Sequence, residues 1–537
     1  MNRLKKSICV LCTILVHTAG AATPITITGT TRQVTTNSAA QTDPHISGDL
    51  VVYSDSRHGN DDVYLFNLST NTETQLTTAT TPQHLADVNG TRVVYTDFTP
   101  PIARIALYDV TTGSTTLISS GSDGVPRIDG QIVVFEKLVG GTTYTTDICA
   151  VDLSTMAEFP VAATSGAIED RDAVSGTRVV FRRRASSDSP GQIVMVDLST
   201  MTETALTDGT SDAVISDIKG NLVVWEIRST SGDAIVVLDL STGITKQLLL
   251  PHAQLTTTRA PRISGRFVTF EDESTGTPEV DLYHVDSGQV FPISTSSGIR
   301  FLADIDGNRV AYVSNETGNL DIFLFEFTVQ PAVDVAPSSV QFGSVNLGSS
   351  QAQLITAGNL QNIPLTVQSI SLDSPAAGFS FGPLTLPQVL PVGGSLDIPV
   401  QFTPAAVGAA SNTLRIHTAV GDVTIPLAGQ GVSTTPPPQQ QIADILTFFD
   451  ASAQSGKLTG AGNGQSAAGR LNALRNMLKA AGDLIQQGDL TDACPQLQDA
   501  LDRTDGNPRP PDFVTGPAAA ELAQKIQALR STLGCGA

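Results

Sequence analysis

Ile46-Ser47-Gly48-Asp49-Leu50-Val51-Val52-Tyr53 decides the fold, because the phrase it carries keeps returning. The phrase is an apolar residue, any residue, glycine, two more residues, then Val-Val-aromatic. Its later glycines are Gly90, Gly130, Gly176, Gly220, Gly265 and Gly307, spaced by about 40 to 46 residues, the length of a four-stranded propeller blade. Seven phrases predict a mainly β chain whose first large domain, residues 22–329, is a seven-bladed β-propeller. In the first repeat, Pro44 to Ser47 reads as the inner strand, Leu50 to Asp55 as the second, Val63 to Leu68 as the third and Glu73 to Thr77 as the outer one. The glycine supplies the positive φ that a tight hairpin demands, and Asn89-Gly90 and Asp129-Gly130 are strong hairpin signals.

The seventh repeat reaches Asp321-Ile322-Phe323-Leu324-Phe325 and leaves the pattern before an outer strand appears. Gln33-Val34-Thr35-Thr36 repeats the outer-strand phrase Gln75-Leu76-Thr77-Thr78. The N-terminus is therefore expected to complete the last blade and remove the open edges.

Arg57, Gly59-Asn60, Asp62-Val63-Tyr64, Asn67-Leu68 and Gln75-Leu76-Thr77, with Asp321-Ile322-Phe323, resemble the repeat of the TolB-like, WD40-related propeller family. The resemblance spans over half the chain and implies the fold. It implies no particular activity, since propellers host binding proteins and unrelated enzymes alike. The count of seven departs from the six blades of the family's namesake, so that protein's partner is not inherited.

From residue 330 to 432 the pattern changes to strands broken by Gly and Pro turns: Phe342-Gly343-Ser344-Val345, Pro364-Leu365, Phe402-Thr403-Pro404 and Gly429-Gln430-Gly431. About 100 residues suits an immunoglobulin-like sandwich, and the order of phrases resembles the choice-of-anchor D and ASH-type Ig-like domains. Residues 433–441, rich in Pro and Gln, read as a semi-rigid linker. Beyond it Leu471, Leu474, Leu478, Ala481 and Ile485 share one helical face, as do Leu522, Ile526, Leu529 and Leu533, so residues 442–537 read as a small helical bundle. Its helix spacing resembles the FIMAH-type module of bacterial surface proteins. A module of this size has a limited core, and Cys494 and Cys535 both lie in it; a disulfide between them is the economical reading, against two unpaired thiols. No histidine accompanies them, as a zinc site would need.

Arg3, Lys5 and Lys6 precede an apolar run from Ile8 to Val16, and Ala19-Gly20-Ala21 supplies a small-residue cleavage pattern. Residues 1–21 are thus expected to be a signal peptide, making the protein secreted or periplasmic, possibly associated with the cell surface. No other segment is apolar for long enough to span a bilayer. The net charge of −21 argues against nucleic acid and anionic lipid as partners.

No Gly-x-Ser-x-Gly elbow occurs, and the histidines, His45, His58, His84, His252 and His284, are scattered among the blades and read as surface or turn residues. Cys149 takes the third-strand core position of Tyr64 and Tyr283 and reads as a buried, inert thiol. The acidic loops Asp55 to Asp62 and Asn315 to Asp321 offer oxygens that Ca2+ favours, but turn chemistry explains them more readily. Arg182, Arg183 and Arg184 stand out in so acidic a chain as receivers of a carboxylate or anionic glycan, against a solvated strand edge. With Arg57, Asn60 and Asn315 they are the candidate ligand-face residues. The face carrying the irregular connections, such as Thr99-Pro100-Pro101, Val139-Gly140-Gly141-Thr142 and Ser186 to Gly191, is expected to bind the ligand. With no catalytic or cofactor residue recognised, the sequence is read as a non-enzymatic binding or scaffold protein for an envelope protein or glycan. The alternative is a propeller-type polysaccharide lyase or hydrolase whose convergent acid–base groups sit at the channel mouth.

Overall fold

The computed structural model describes residues 24–535, apart from 140–144, 231, 251–258, 275, 294–297, 376, 434 and 508. The expected signal peptide, His252 and most of the Val139 to Thr142 connection lie outside the described residues. The chain is mostly β, with a small helical bundle at its C-terminal end.

Between Thr26 and Gln330 the strands form seven four-stranded sheets. The first holds Gln41–Ser47, Leu50–Asp55, Asp62–Asn67 and Thr72–Gln75, all antiparallel. Each inner strand packs beside the inner strand of the next repeat, and the last, Arg300–Asp306, packs beside Gln41–Ser47. The order is thus cyclic and propeller-like. Because each sheet has a neighbour on both faces, the second strands read as continuous apolar runs rather than alternating ones: Val51, Val52 and Tyr53 are all fully buried. Val51 and Tyr53 pack with Ala311 and Val313 of the last sheet, and Val52 packs with Val93 and Tyr95 of the second.

The inner strands are also stitched by side chains. In six of the seven repeats the residue just before the turn glycine accepts from the backbone N–H of the next repeat's glycine: Ser47 from Gly90 (3.1 Å), Asn89 from Gly130 (3.1 Å), Asp129 from Gly176 (2.7 Å) and Ser175 from Gly220 (3.0 Å). Ser264 accepts from Gly307 (3.0 Å), and Asp306 from Gly48 (2.7 Å). That last bond joins the seventh repeat to the first.

The last sheet is completed by Thr26–Gln33, antiparallel to Asp321–Gln330, with Gln33 opposite Phe323. The expected closing segment, Gln33 to Thr36, is the C-terminal end of this contact. The strand starts earlier because Asp321–Gln330 runs for 10 residues and presents a longer edge. The likeness between Gln33-Val34-Thr35 and Gln75-Leu76-Thr77 extends to single atoms. Thr35 Oγ1 accepts from Ile322 N–H at 2.8 Å and Gln33 Nε2 donates to Asp321 at 3.0 Å; Thr77 and Gln75 do the same to Val63 and Asp62 at 2.9 and 3.1 Å.

The next module has two sheets around one core. One contains Val333–Ala336, Gln351–Asn359, Ser395–Phe402 and Phe379–Phe381; the other has five strands, including Gly408–Thr418 and Gly421–Val432. Phe342, Phe379 and Phe402 meet between them, with ring centroids 4.5–5.8 Å apart. The module rests against the turns of the last two propeller-like sheets: Asn362 accepts from Arg266 N–H at 2.9 Å and bonds the Gly307 carbonyl, while Gln361 exchanges bonds with the Val329 backbone.

Four helices follow: α1 (Pro438–Gln454), α2 (Gln465–Gln487), α3 (Leu490–Leu501) and α4 (Ala519–Leu533). Leu474, Leu478, Leu522 and Ile526 are fully buried among them. Cys494 and Cys535 form a disulfide with Cα atoms 5.4 Å apart, tying α3 to the segment after α4.

Two measurements test this packing. Gly29 leaves no room for a side chain, since an added Cβ lies 2.4 Å from the Phe325 ring and 2.7 Å from the Glu326 carbonyl. Gly29→Val is expected to cost roughly 1–3 kcal/mol and lower the melting temperature, whereas Thr26→Val, on the exposed start of the same strand, leaves it unchanged. The disulfide closes a separation of 41 residues; replacing both cysteines by serine is expected to destabilise the helical module by about 4 kcal/mol, read by chemical denaturation followed through helical circular dichroism.

Candidate functional site

All seven inner strands line one central cavity of about 130 Å³. Five residues before the turn glycine, six of the seven repeats hold a non-glycine residue at positive φ: Asp43 (54°), Leu85 (57°), Val125 (53°), Arg171 (59°), Ala260 (42°) and Leu302 (49°). The strand register slips there, as between Thr42 and His45 or between His84 and Asp87. Such a bulge re-aims the residues around it and carries backbone strain of order 1 kcal/mol. Side chains of the preceding sheet hold the bulge N–H groups: Glu136 Oε1 accepts from Arg171 (2.9 Å), Glu271 Oε1 from Leu302 (2.9 Å) and Thr96 Oγ1 from Val125 (3.2 Å).

Three residues before each glycine the strands carry a tier of facing positions. His45, Asp87, Arg127, Asp217, Arg262 and Asp304 occupy six of them, with Ala173 at the seventh. The three aspartates bridge between sheets: Asp304 Oδ2 accepts from Ile46 N–H (2.9 Å), Asp87 Oδ2 from Ile128 (2.8 Å) and Asp217 Oδ2 from Ile263 (2.8 Å). His45 is buried, at 5% exposure. Its Nδ1 lies 3.5 Å from both Asp87 and Asp304, and its Nε2 lies 3.8 Å from Asp43.

Burial pushes the Asp304 carboxyl up, but the His45 imidazole, the Ile46 N–H and Arg262 outweigh it and hold Asp304 below the ordinary value. Asp172 goes the other way. Burial, reinforced by nearby Glu136, pushes it well above the usual carboxylate range, and both its oxygens are buried with no hydrogen-bond partner among the described residues. It lies at the wall of a charged cavity. Among the described residues no three His, Cys, Asp or Glu side chains are placed to hold a metal ion.

The residues singled out in the sequence lie elsewhere. Arg57 pairs with Asp55 (2.6 Å) and Glu73 (2.8 Å) and lies over the Tyr64 ring. Asn60 donates to the carbonyls of Ala79 and Thr81, and Asn315 accepts from Ile299 N–H. Arg182 forks onto Asp170 with two 2.7 Å bonds, Arg183 bonds Glu169 and Glu203, and Arg184 reaches Asp170 at 3.1 Å. None of these six lines the cavity. Asp55, Asp62 and Asp321, which a calcium ion would need, accept from Arg57, from Gln75 and Thr77, and from Gln33 and Thr35. Cys149 is buried and burial pushes its thiol up to about 11. The reading of the histidines as surface or turn groups fails for His45 and for His284, which is 1% exposed. The signal that locates the cavity wall was present in the sequence as a fixed offset from the turn glycines, where a charged residue recurs amid apolar ones.

One family model matches, over residues 326–420, with the description "Abnormal spindle-like microcephaly-assoc'd, ASPM-SPD-2-Hydin", abbreviated ASH. The two-sheet module is therefore an ASH-type domain. No curated protein matches the chain. Among solved structures the chain is similar to an oligogalacturonate lyase from Vibrio parahaemolyticus, at 12% identity and TM-score 0.43, covering 57% of this chain and 98% of that one. It is also similar to the β-propeller domain of the Trilobed protease from Pyrococcus furiosus, at 14% identity and TM-score 0.41, covering 54% and 97%. A third is an acylaminoacyl peptidase from Pyrococcus horikoshii, at 14% and 0.41, covering 60% and 57%. These are a lyase and peptidases, where the sequence reading expected a non-enzymatic scaffold with protein binding as its role; that expectation is withdrawn. Such identities and TM-scores identify no activity, so the chemistry is argued from the cavity alone, which holds the convergent acid–base groups that the alternative required.

The wall yields a pH test. Burial pushes the Glu271 carboxyl from 4.5 up to about 7. As pH rises through that window the unfolded chain ionises while the folded one keeps its proton, so stability falls with rising pH, by up to about 3 kcal/mol. Glu271→Gln keeps the acceptor for Leu302 N–H and is expected to remove this slope. Denaturation at pH 4, 5.5 and 7.5 checks it: the variant should match wild type at pH 4 and exceed it at 7.5.

Proposed function

We propose that the seven sheets form a closed, TolB-like seven-bladed β-propeller whose channel is an active site for acid–base cleavage of a polysaccharide, as a lyase or hydrolase. The observation that carries this reading is His45, held among Asp43, Asp87 and Asp304 in the same tier as Arg127 and Arg262. Elimination and hydrolysis both need one group that accepts a proton and one that gives a proton to the departing oxygen. His45 suits the first role, because an imidazole nitrogen accepts a proton and this ring lies beside three carboxylates. Asp172, at the same cavity and with burial favouring its protonated form, suits the second. The guanidinium groups suit the neutralisation of charge on the substrate.

The ASH-type module, read as an Ig-like sandwich, rests near the turns around Gly265 and Gly307, which favours substrate entry from the opposite face, where the irregular connections lie. The helical end is read as a FIMAH-like module that acts as a second contact. The leader-like N-terminus supports export to the periplasm or cell surface, where polysaccharide is met. No helix among the described residues is long and apolar enough to cross a membrane.

The test is a screen of polysaccharides, with ultraviolet absorbance of the unsaturated sugar reporting elimination and new reducing ends reporting hydrolysis. On the substrate found, His45→Gln is expected to lower kcat by about 10²–10⁴-fold with little change in KM. An unchanged kcat overturns the assignment.

A further inference from the structure

We propose that the channel recognises the carboxylate of an acidic sugar through Arg127, Arg171 and Arg262, so that its substrate is a uronate-containing polysaccharide. The inference rests on the reading of the channel as a polysaccharide-cleaving site and adds the chemical class that the site selects.

The three arginines differ from Arg182, Arg183, Arg300 and Arg309 of the same sheets. Arg182 is matched to Asp170, Arg183 to Glu169, Arg300 to Glu279 and Arg309 to Glu326, at 2.5–2.8 Å. Arg127, Arg171 and Arg262 have no carboxylate within 4.0 Å among the described residues. Arg127 donates to the carbonyl of the adjacent Pro126 at 3.1 Å, and Arg262 to that of Pro261 at 3.3 Å. The Arg171 side chain is exposed and makes no hydrogen bond. A guanidinium has five N–H donors in a planar fork, so most of this donor capacity faces one cavity unused.

Most carboxylates of the cavity wall have partners of their own. One oxygen each of Asp87, Asp217 and Asp304 is committed to a backbone N–H of the next sheet, and Asp87 and Asp304 also face His45. Burial pushes the Asp172 carboxyl well above the usual carboxylate range, which disfavours its charged form. The carboxylates nearest His45 come from the last, first and second repeats, and the guanidiniums come from the third, fourth and sixth, beside Asp172 and Asp217 of the fourth and fifth. An elongated sugar chain carrying an anionic group to one side of its cleavable bond fits this division, since the anion meets arginine while the bond reaches the imidazole. Planar carboxylate accepts the paired donors of a guanidinium with matching geometry.

The experiment uses the full chain and titrates it, by calorimetry, with oligogalacturonate and alginate oligosaccharides, a neutral dextran oligosaccharide and a dextran sulfate oligosaccharide. The uronates are expected to bind at least about ten-fold more tightly than dextran and more tightly than dextran sulfate, and Arg171→Gln to weaken uronate binding by about ten-fold or more. Arg171 has no partner to lose, so this variant should keep the wild-type melting temperature. Arg262→Lys, which keeps the charge and removes the fork, should bind more weakly than wild type. Equal binding of dextran, preference for the sulfated sugar, or wild-type affinity in Arg171→Gln overturns the proposal. Cleavage of a neutral polysaccharide that depends on His45 also overturns it while leaving the acid–base reading intact. Arginine-dependent uronate binding with no cleavage of any polysaccharide sustains the anion site and removes the enzyme reading.

Discussion

Between the inner strands, the side chain just before one turn glycine accepts a hydrogen bond from the N–H of the next, and Asp306 carries this relation across from the last repeat to Gly48 of the first. The bond costs little, since Ser, Asn and Asp all supply the oxygen. Its consequence is large. It fixes how far each inner strand stands from its neighbour and so sets the radius of the cavity that all seven strands enclose. In the repeat that offers Lys219 instead of an acceptor, Asp217 bonds Ile263 N–H two residues earlier. Buried backbone donors in these strands are thus paired across the sheet boundary, as a dry interior requires.

The same geometry explains why the channel can carry charge. A side chain three residues before the glycine points away from the apolar layers between sheets and toward its counterparts from the other repeats. Left alone, carboxylates this close would raise each other's pKa. Here the backbone N–H groups, the imidazole and the guanidiniums absorb that cost for Asp304. For Asp172, burial and Glu136 outweigh Arg127 and push the carboxyl well above the usual range. The cavity wall therefore holds carboxyl groups shifted in opposite directions, Asp304 down and Asp172 up, a separation that acid–base chemistry uses.

Outside the channel, charge is spent on cohesion. The run Arg182-Arg183-Arg184 is absorbed by Asp170, Glu169 and Glu203 across adjacent strands, and Arg57 joins Asp55 to Glu73 beneath its contact with Tyr64. Conspicuous charge in the sequence was a poor guide to the site, because antiparallel pairing places acids opposite these bases. Of the arginines that line the cavity, Arg127 is the only one in its repeat, whereas Arg171 shares its repeat with that run and Arg262 lies between Arg259 and Arg266.

The sequence by itself determined the number of repeats, the short strands of each and the kinship of Gln33-Val34-Thr35 with Gln75-Leu76-Thr77, because all of these are local patterns of apolar residues, turn glycines and a clamping threonine. It also placed Cys149 in the core, and it brought Cys494 and Cys535 into one small module. Only the tertiary structure decided which side chains meet. His45, Arg127, Asp172, Arg262 and Asp304 come from five different repeats, and no sequence window contains more than one repeat's share of the wall. Their aim depends on bulges at non-glycine residues held at positive φ by acceptors from the neighbouring sheet. Local preference disfavours that conformation, so only the assembled ring of sheets stabilises it.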